Sequence, residues 1–87
     1  MAVQVVCAVY DEASQSFSRP IFVPARGIAL RSFIDEVNRD DPNNSMFVHT
    51  KDYKLYCIGE FDDVTGRLTS LDLPEVLMSG DTAKQVK

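Results

Sequence analysis

"YKLYCIGEFDDVTGRL", from Tyr53 to Leu68, decides how this chain reads. It is a strand, an acidic turn and a return strand. Strict alternation places Tyr53, Leu55, Cys57, Gly59 and Phe61 on one face, and Lys54, Tyr56, Ile58 and Glu60 on the other. "DDVTG" is the hairpin turn, with Gly66 suited to a left-handed conformation. Glu60, Asp62 and Asp63 crowd this turn. Calcium loops need more oxygen ligands at a defined spacing, and acid–base chemistry needs a carboxyl held in a pocket. Short acidic side chains do accept hydrogen bonds from turn amides. The acids are therefore expected to be structural, and Asp62→Asn with Asp63→Asn should leave folding intact.

Working outward, "AVQVVCAVYD" (Ala2–Asp11) is valine-rich and nearly continuous in apolar character, as a strand covered on both faces or a central one is. Val3, Val5, Cys7 and Val9 share one face; Gln4, Val6, Ala8 and Tyr10 share the other. "DEASQSFSR" is polar and turn-forming. Pro20 opens a short second strand through Ile21, Phe22 and Val23; its missing amide hydrogen is tolerated at a strand start or a sheet edge.

"ARGIALRSFIDEVNRDD" (Ala25–Asp41) is the one helix. Ala29, Leu30, Phe33, Ile34 and Val37 form its apolar stripe, and Arg31, Asp35, Glu36 and Asn38 face away. Met46 to Val48 either tuck under a loop or form a brief strand, and Thr50 to Tyr53 suit a single helical turn. The return strand runs from Arg67 to Leu71.

The order β-β-α-β-β predicts an α+β fold: a small antiparallel sheet of about four strands with one helix packed on one face. Residues 1–75 are expected to form a single domain and 76–87 a weakly structured tail. That tail, with "PEVLM" (Pro74–Met78), is a candidate docking peptide.

With 87 residues, 45% hydrophobic and 25% charged, the chain fits one globular domain. A domain of this size buries only about two thirds of its unfolded surface, so a homodimer is expected to add stability. A membrane-spanning helix needs roughly 20 apolar residues, far more than any run here. The start also lacks a signal peptide's basic region, so a cytoplasmic location is expected. Cys7 and Cys57 match no metal spacing. They read as small buried side chains, a disulfide being disfavoured where thiols stay reduced.

Net charge is −4, unevenly spread. Cations and anions nearly balance from Arg19 to Lys54. From Glu60 to Asp81, six acids face only Arg67. Non-specific nucleic-acid binding draws on phosphate neutralisation, so this chain needs a local basic face to manage it. Single strands are bound by aromatic faces beside cations. The candidate binding residues are Arg19, Arg26, Arg31, Lys51, Lys54, Tyr53 and Tyr56, with Lys54 and Tyr56 sharing a strand face. Tyr10 and Phe22 also lie on predicted strands. The sequence contains no phosphate-binding glycine loop, zinc spacing or dinucleotide fingerprint. The single histidine, His49, has no cysteine placed beside it as a nucleophile would need. No catalytic residue, metal site or cofactor is expected.

Several short motifs occur together: Tyr10-Asp11; Ile21 to Pro24; Ala29 to Phe33 with Val37-Asn38; Asp52 to Leu55; and Ile58 to Gly66. In this order, over residues 7–71, they resemble the small nonstructural protein of gokushoviruses, microvirus-group phages with circular single-stranded DNA. That family usually shows "HPEDY" where this chain reads "HTKDY", so Thr50 replaces a proline and Lys51 an acid. The resemblance implies a phage-encoded, non-virion protein in the host bacterial cytoplasm. It also implies a DNA-binding part in replication, or in the switch to single-strand synthesis and packaging. Partners consistent with it are single-stranded DNA and a viral or host replication or capsid protein. The competing role is a scaffolding-type protein that docks on capsid precursors without touching DNA.

Overall fold

The computed structural model describes residues 3–86; the expected strand start at Ala2 and the final residue of the expected tail lie outside them. The strands are β1 (Val3–Asp11), β2 (Ser16–Phe17), β3 (Ile21–Val23), β4 (Tyr53–Asp62) and β5 (Arg67–Ser79). The helices are α1 (Arg26–Val37), α2 (Ser45–Val48) and α3 (Gly80–Val86), with a 3₁₀ turn over Thr50–Asp52. All strand pairings are antiparallel. The sheet order is β2-β1-β4-β5, and β3 pairs with β1 as β2 does. This is the expected α+β fold, with one edge column made of two short pieces.

That split edge has a local cause. Pro20 lacks an amide hydrogen and lies in the unpaired gap between β2 and β3. Ser18 carries the ladder across the gap: its amide donates to the Val9 carbonyl at 2.7 Å, and its hydroxyl accepts from the Val9 amide at 3.0 Å. The polar stretch read as a turn thus also holds a strand. Tyr10 pairs with Phe17.

A β-bulge changes the reading of β4. Cys7 pairs with Cys57, but Val6 pairs with Gly59, so Ile58 is the extra residue. Beyond it, period-two alternation flips. Gly59 and Phe61 join the face of Lys54 and Tyr56, and Glu60 crosses to the other side; strict alternation predicts the reverse. Opposite the bulge, β5 carries its own excess: Leu71 to Pro74 lie between Ser70, which pairs with Gly59, and Glu75, which pairs with Cys57. Pro74 is accommodated in this irregularity of an edge strand. Gly59 is required here because a Cβ would collide with the Thr69 carbonyl oxygen of β5.

The expected weakly structured tail over 76–87 is corrected by the structure over its described part. Strand β5 continues past Pro74 to Ser79, and α3 follows at once. Leu77 and Met78 pack on the core, and Ala83 is fully buried within it. Gly80 fits α3 against the Thr50 backbone, where no Cβ has room. "PEVLM" is therefore part of the sheet rather than a free docking peptide.

The core lies on one face of the sheet. Cys7, Val23, Leu55 and Cys57 meet Ala29, Phe33 and Val37 of α1, together with Ala83. The helical stripe is as predicted, though α1 ends at Val37 rather than Asp41. Asn38, expected to face away, donates instead to the carbonyls of Ile34 at 2.8 Å and Ala83 at 3.0 Å, tying α1 to α3. Met46 to Val48 lie in α2 rather than in a strand. Asn44 is buried between the two helices. Its amide nitrogen donates to the carbonyls of Glu36 and Arg39, and its oxygen accepts from the Met46 amide. One side chain thereby satisfies a terminal carbonyl of α1 and one just past its end, and caps α2.

Candidate functional site

Directly paired residues share a face, so the register sorts the sheet. The covered side carries Val5, Cys7, Val9, Val23, Leu55 and Cys57, packed under the helices. The other side carries no helix among the described residues. Its aromatic positions are Tyr10, Phe17, Phe22, Tyr56 and Phe61. Rings of Tyr10, Phe17 and Tyr56 form one cluster, with centroids 4.9, 5.3 and 6.3 Å apart. Phe22 and Phe61 form a second, 5.5 Å apart and edge-on. Phe17 and Phe22 remain 44% and 48% exposed, and Leu68 and Val76 of β5 extend the apolar surface.

Charge is segregated between the two faces. Among the described residues, paired strand positions on the helix-free side hold one cation, Lys54, and no carboxylate. Asp11, Glu60, Asp62 and Glu75 all fall on the covered side by their pairings. For a chain of net charge −4, this is a neutral-to-positive window in an acidic surface. The Ile58 bulge helps to make it, exchanging Glu60 for Phe61.

Among the seven candidate binding residues, only Lys54 and Tyr56 come together on this face. Arg19 is exposed in the β2–β3 connection at its border. Arg26 begins α1 on the covered side, where it meets Glu75 at 3.0 Å and the Cys57 sulfur at 3.8 Å. Arg31 is exposed on α1, and Lys51 on the 3₁₀ turn. Tyr53 belongs to the covered side: it packs on the core and shares a 2.8 Å hydrogen bond with Ser45. Four of the seven thus lie with the helices and away from the aromatic face. Phe17 and Phe61 were not among the candidates. Phe17 is the lone aromatic residue of a polar stretch, and its signal is the alternation of Ser16, Phe17 and Ser18 seven residues beyond Tyr10.

Of the acids beside the hairpin, Asp62 performs turn chemistry. The Asp62 carboxylate accepts from the amides of Val64 at 3.0 Å and Thr65 at 3.4 Å, and its carbonyl from Gly66 at 2.7 Å. Gly66 has φ +77°. Asp11 and Asp41 make equivalent bonds to the amides of Ala13 and Asn43. Cys7 and Cys57 are both free and buried, paired across β1 and β4. Burial and the adjacent Cys57 push the Cys7 thiol up to about 11, although Arg26 opposes this. His49 is exposed at the end of α2, away from both thiols in the core.

A shallow cleft of about 350 Å³ that borders Phe17 is lined by Ser14, Ser16, Ser45 and Tyr53 among others. Its hydroxyls bond one another, Ser14 to Ser16 at 2.9 Å and Ser45 to Tyr53. Among the described residues, no cluster of His, Cys, Asp and Glu could hold a metal ion, and no helix is long and apolar enough to cross a membrane.

No curated protein and no solved structure matches this chain. A family model does, that of the phage ORF5 protein, and it covers residues 4–83. The match takes in β2 to β5 whole and all of β1 but Val3, so the chain belongs to the phage ORF5 protein family.

Proposed function

We propose that this is a non-enzymatic, nonstructural accessory protein of a single-stranded DNA phage, one that binds single-stranded DNA through the helix-free face of its sheet. Its place is viral DNA replication, or the switch to single-strand synthesis and packaging, in the host cytoplasm. One observation carries this reading: five aromatic residues share a sheet face that holds one cation and no carboxylate at its paired positions. Aromatic faces bind unpaired bases by stacking, and a nearby carboxylate would repel the backbone. The gokushovirus resemblance supports the assignment to replication.

The same face supports a second reading. A single cation is little for a nucleic-acid site, and a partly apolar aromatic surface also suits a replication or capsid protein. Fluorescence anisotropy of labelled single-stranded DNA decides between the two. Micromolar or tighter binding, weakened at least fivefold by Tyr56→Ala and unchanged by Arg31→Ala, is the expected result. Absence of binding at low salt would reject the DNA reading and leave the protein partner.

A further inference from the structure

The helix-free face has internal structure beyond being aromatic. Its rings fall into two groups, Tyr10–Phe17–Tyr56 and Phe22–Phe61. Along β1 the first group sits opposite Ala8 and Tyr10, and the second opposite Gln4 and Val6. Four residues separate the two centres, about 13 Å at about 3.3 Å per residue. Between them the floor is small: Val6, Ala8 and Gly59 are all buried. A hollow of about 100 Å³ opens beside the second group, lined by Val6, Pro20, Phe22, Ile58, Gly59 and Leu68 among others. Polar groups able to read base edges are few on this face: Gln4, Ser70, Ser79 and the hydroxyls of Tyr10 and Tyr56 are the neutral ones at paired positions of the described residues.

We infer that the face is a two-station stacking platform whose ligand is the unpaired base rather than the phosphate backbone. Resting on the DNA reading above, this makes the site selective for single strands over duplex, tolerant of sequence, and only weakly sensitive to salt. Stacking on aromatic rings accepts any base, because every base has a π-face. Salt dependence follows the number of phosphates neutralised, with a log–log slope of about −0.7 for each on a single strand. Lys54, even with Arg19 at the border, neutralises too few for a steep slope. Duplex DNA keeps its bases stacked inside and offers this face only its charged exterior.

The test uses the full chain and three probes of equal length: a twelve-residue oligothymidylate, the same backbone with every base removed, and a duplex. The chain has no tryptophan, so tyrosine emission reports directly; Tyr10 and Tyr56 lie on this face and Tyr53 on the other. Oligothymidylate should quench that emission and lose less than about tenfold in affinity from 50 to 200 mM salt. The abasic strand and the duplex should each bind at least tenfold more weakly. Phe17→Ala and Phe22→Ala, both at half-exposed positions, should each weaken binding several-fold, and Ser70→Glu should do so by placing a carboxylate on the face. Equal binding of the abasic strand, or of the duplex, with a steep salt dependence would overturn the stacking platform yet leave DNA binding standing. No binding of any probe would overturn both.

Discussion

The two faces of the sheet are built from the same five strands and differ in almost every physical respect. Under the helices the buried side chains of the strands are aliphatic or thiol and closely packed, with Tyr53 half-buried against them. On the other face they are aromatic, half-exposed and free of acid at paired positions. The covered face does the work of stability. The open face keeps large rings in water, where they add little to folding and are available to a ligand.

Substitutions that separate stability from binding test this contrast, and the largest effect is expected in the core. Phe33→Ala should lower unfolding free energy by about 3–5 kcal/mol in urea titration. Phe17→Ala should lower it by less than about 1 kcal/mol. Comparable losses from the two would erase the distinction between the faces.

Next comes the covered thiol. Cys7 titrates higher when folded than when unfolded, because burial disfavours its thiolate. Its contribution is therefore complete below the unfolded value, near 9, and is lost as pH climbs toward about 11. Two units correspond to at most about 2–3 kcal/mol. Thermal melts of wild type and Cys7→Ala across that range should converge as pH rises; parallel curves would contradict the burial argument.

Asn44→Ala, which strands the ends of two helices, should cost about 1–2 kcal/mol by chemical denaturation without changing any ligand binding at the open face. Smaller still is the acid limb. The Arg39 guanidinium holds Glu36 below the usual carboxylate range, and Asp41 is held down by the Asn43 amide and by Arg39. Their contribution is present above the unfolded values and fades as pH falls through the depressed ones, below about pH 4. Arg39→Gln should flatten that acid limb in melts followed by circular dichroism. The smallest effect belongs to Asp62→Asn with Asp63→Asn, expected within about 0.5 kcal/mol because an asparagine oxygen accepts the same turn amides. A collapse of folding there would show that the hairpin's charges do more than close its turn.

Much of this fold was legible in residue patterns, because the controlling forces are local or periodic. The valine alternation of β1, the apolar stripe of α1 and the Asp62–Gly66 turn each follow from a single period or a single glycine. The Ile58 bulge was not legible, since one inserted residue leaves no compositional trace yet turns every later side chain to the other face. That slip hid Phe61 from the site and placed Glu60 there in error. Tyr53 was misassigned for a different reason: a tyrosine serves either a core or a binding face, and only its bond to Ser45 and the packing around it decide. Helix α3 escaped notice because its anchor is mostly polar. Lys84 reaches the carbonyl of Phe47 at 3.2 Å and the hydroxyl of Thr50 at 3.3 Å, and its ammonium sits 3.8 Å from the Phe47 ring centroid. No hydrophobic stripe announces such a helix.

The sheet's two borders share one feature: each is interrupted at a proline, Pro20 between β2 and β3 and Pro74 in the irregular part of β5. An uninterrupted border would offer a row of free amides and carbonyls to any other strand, and a protein made in quantity in a crowded cell would be at risk of stacking into aggregates. Neither border here can be extended as a continuous ladder. Backbone chemistry thus disfavours edge-to-edge recruitment of further copies, while the aromatic face beside it stays exposed.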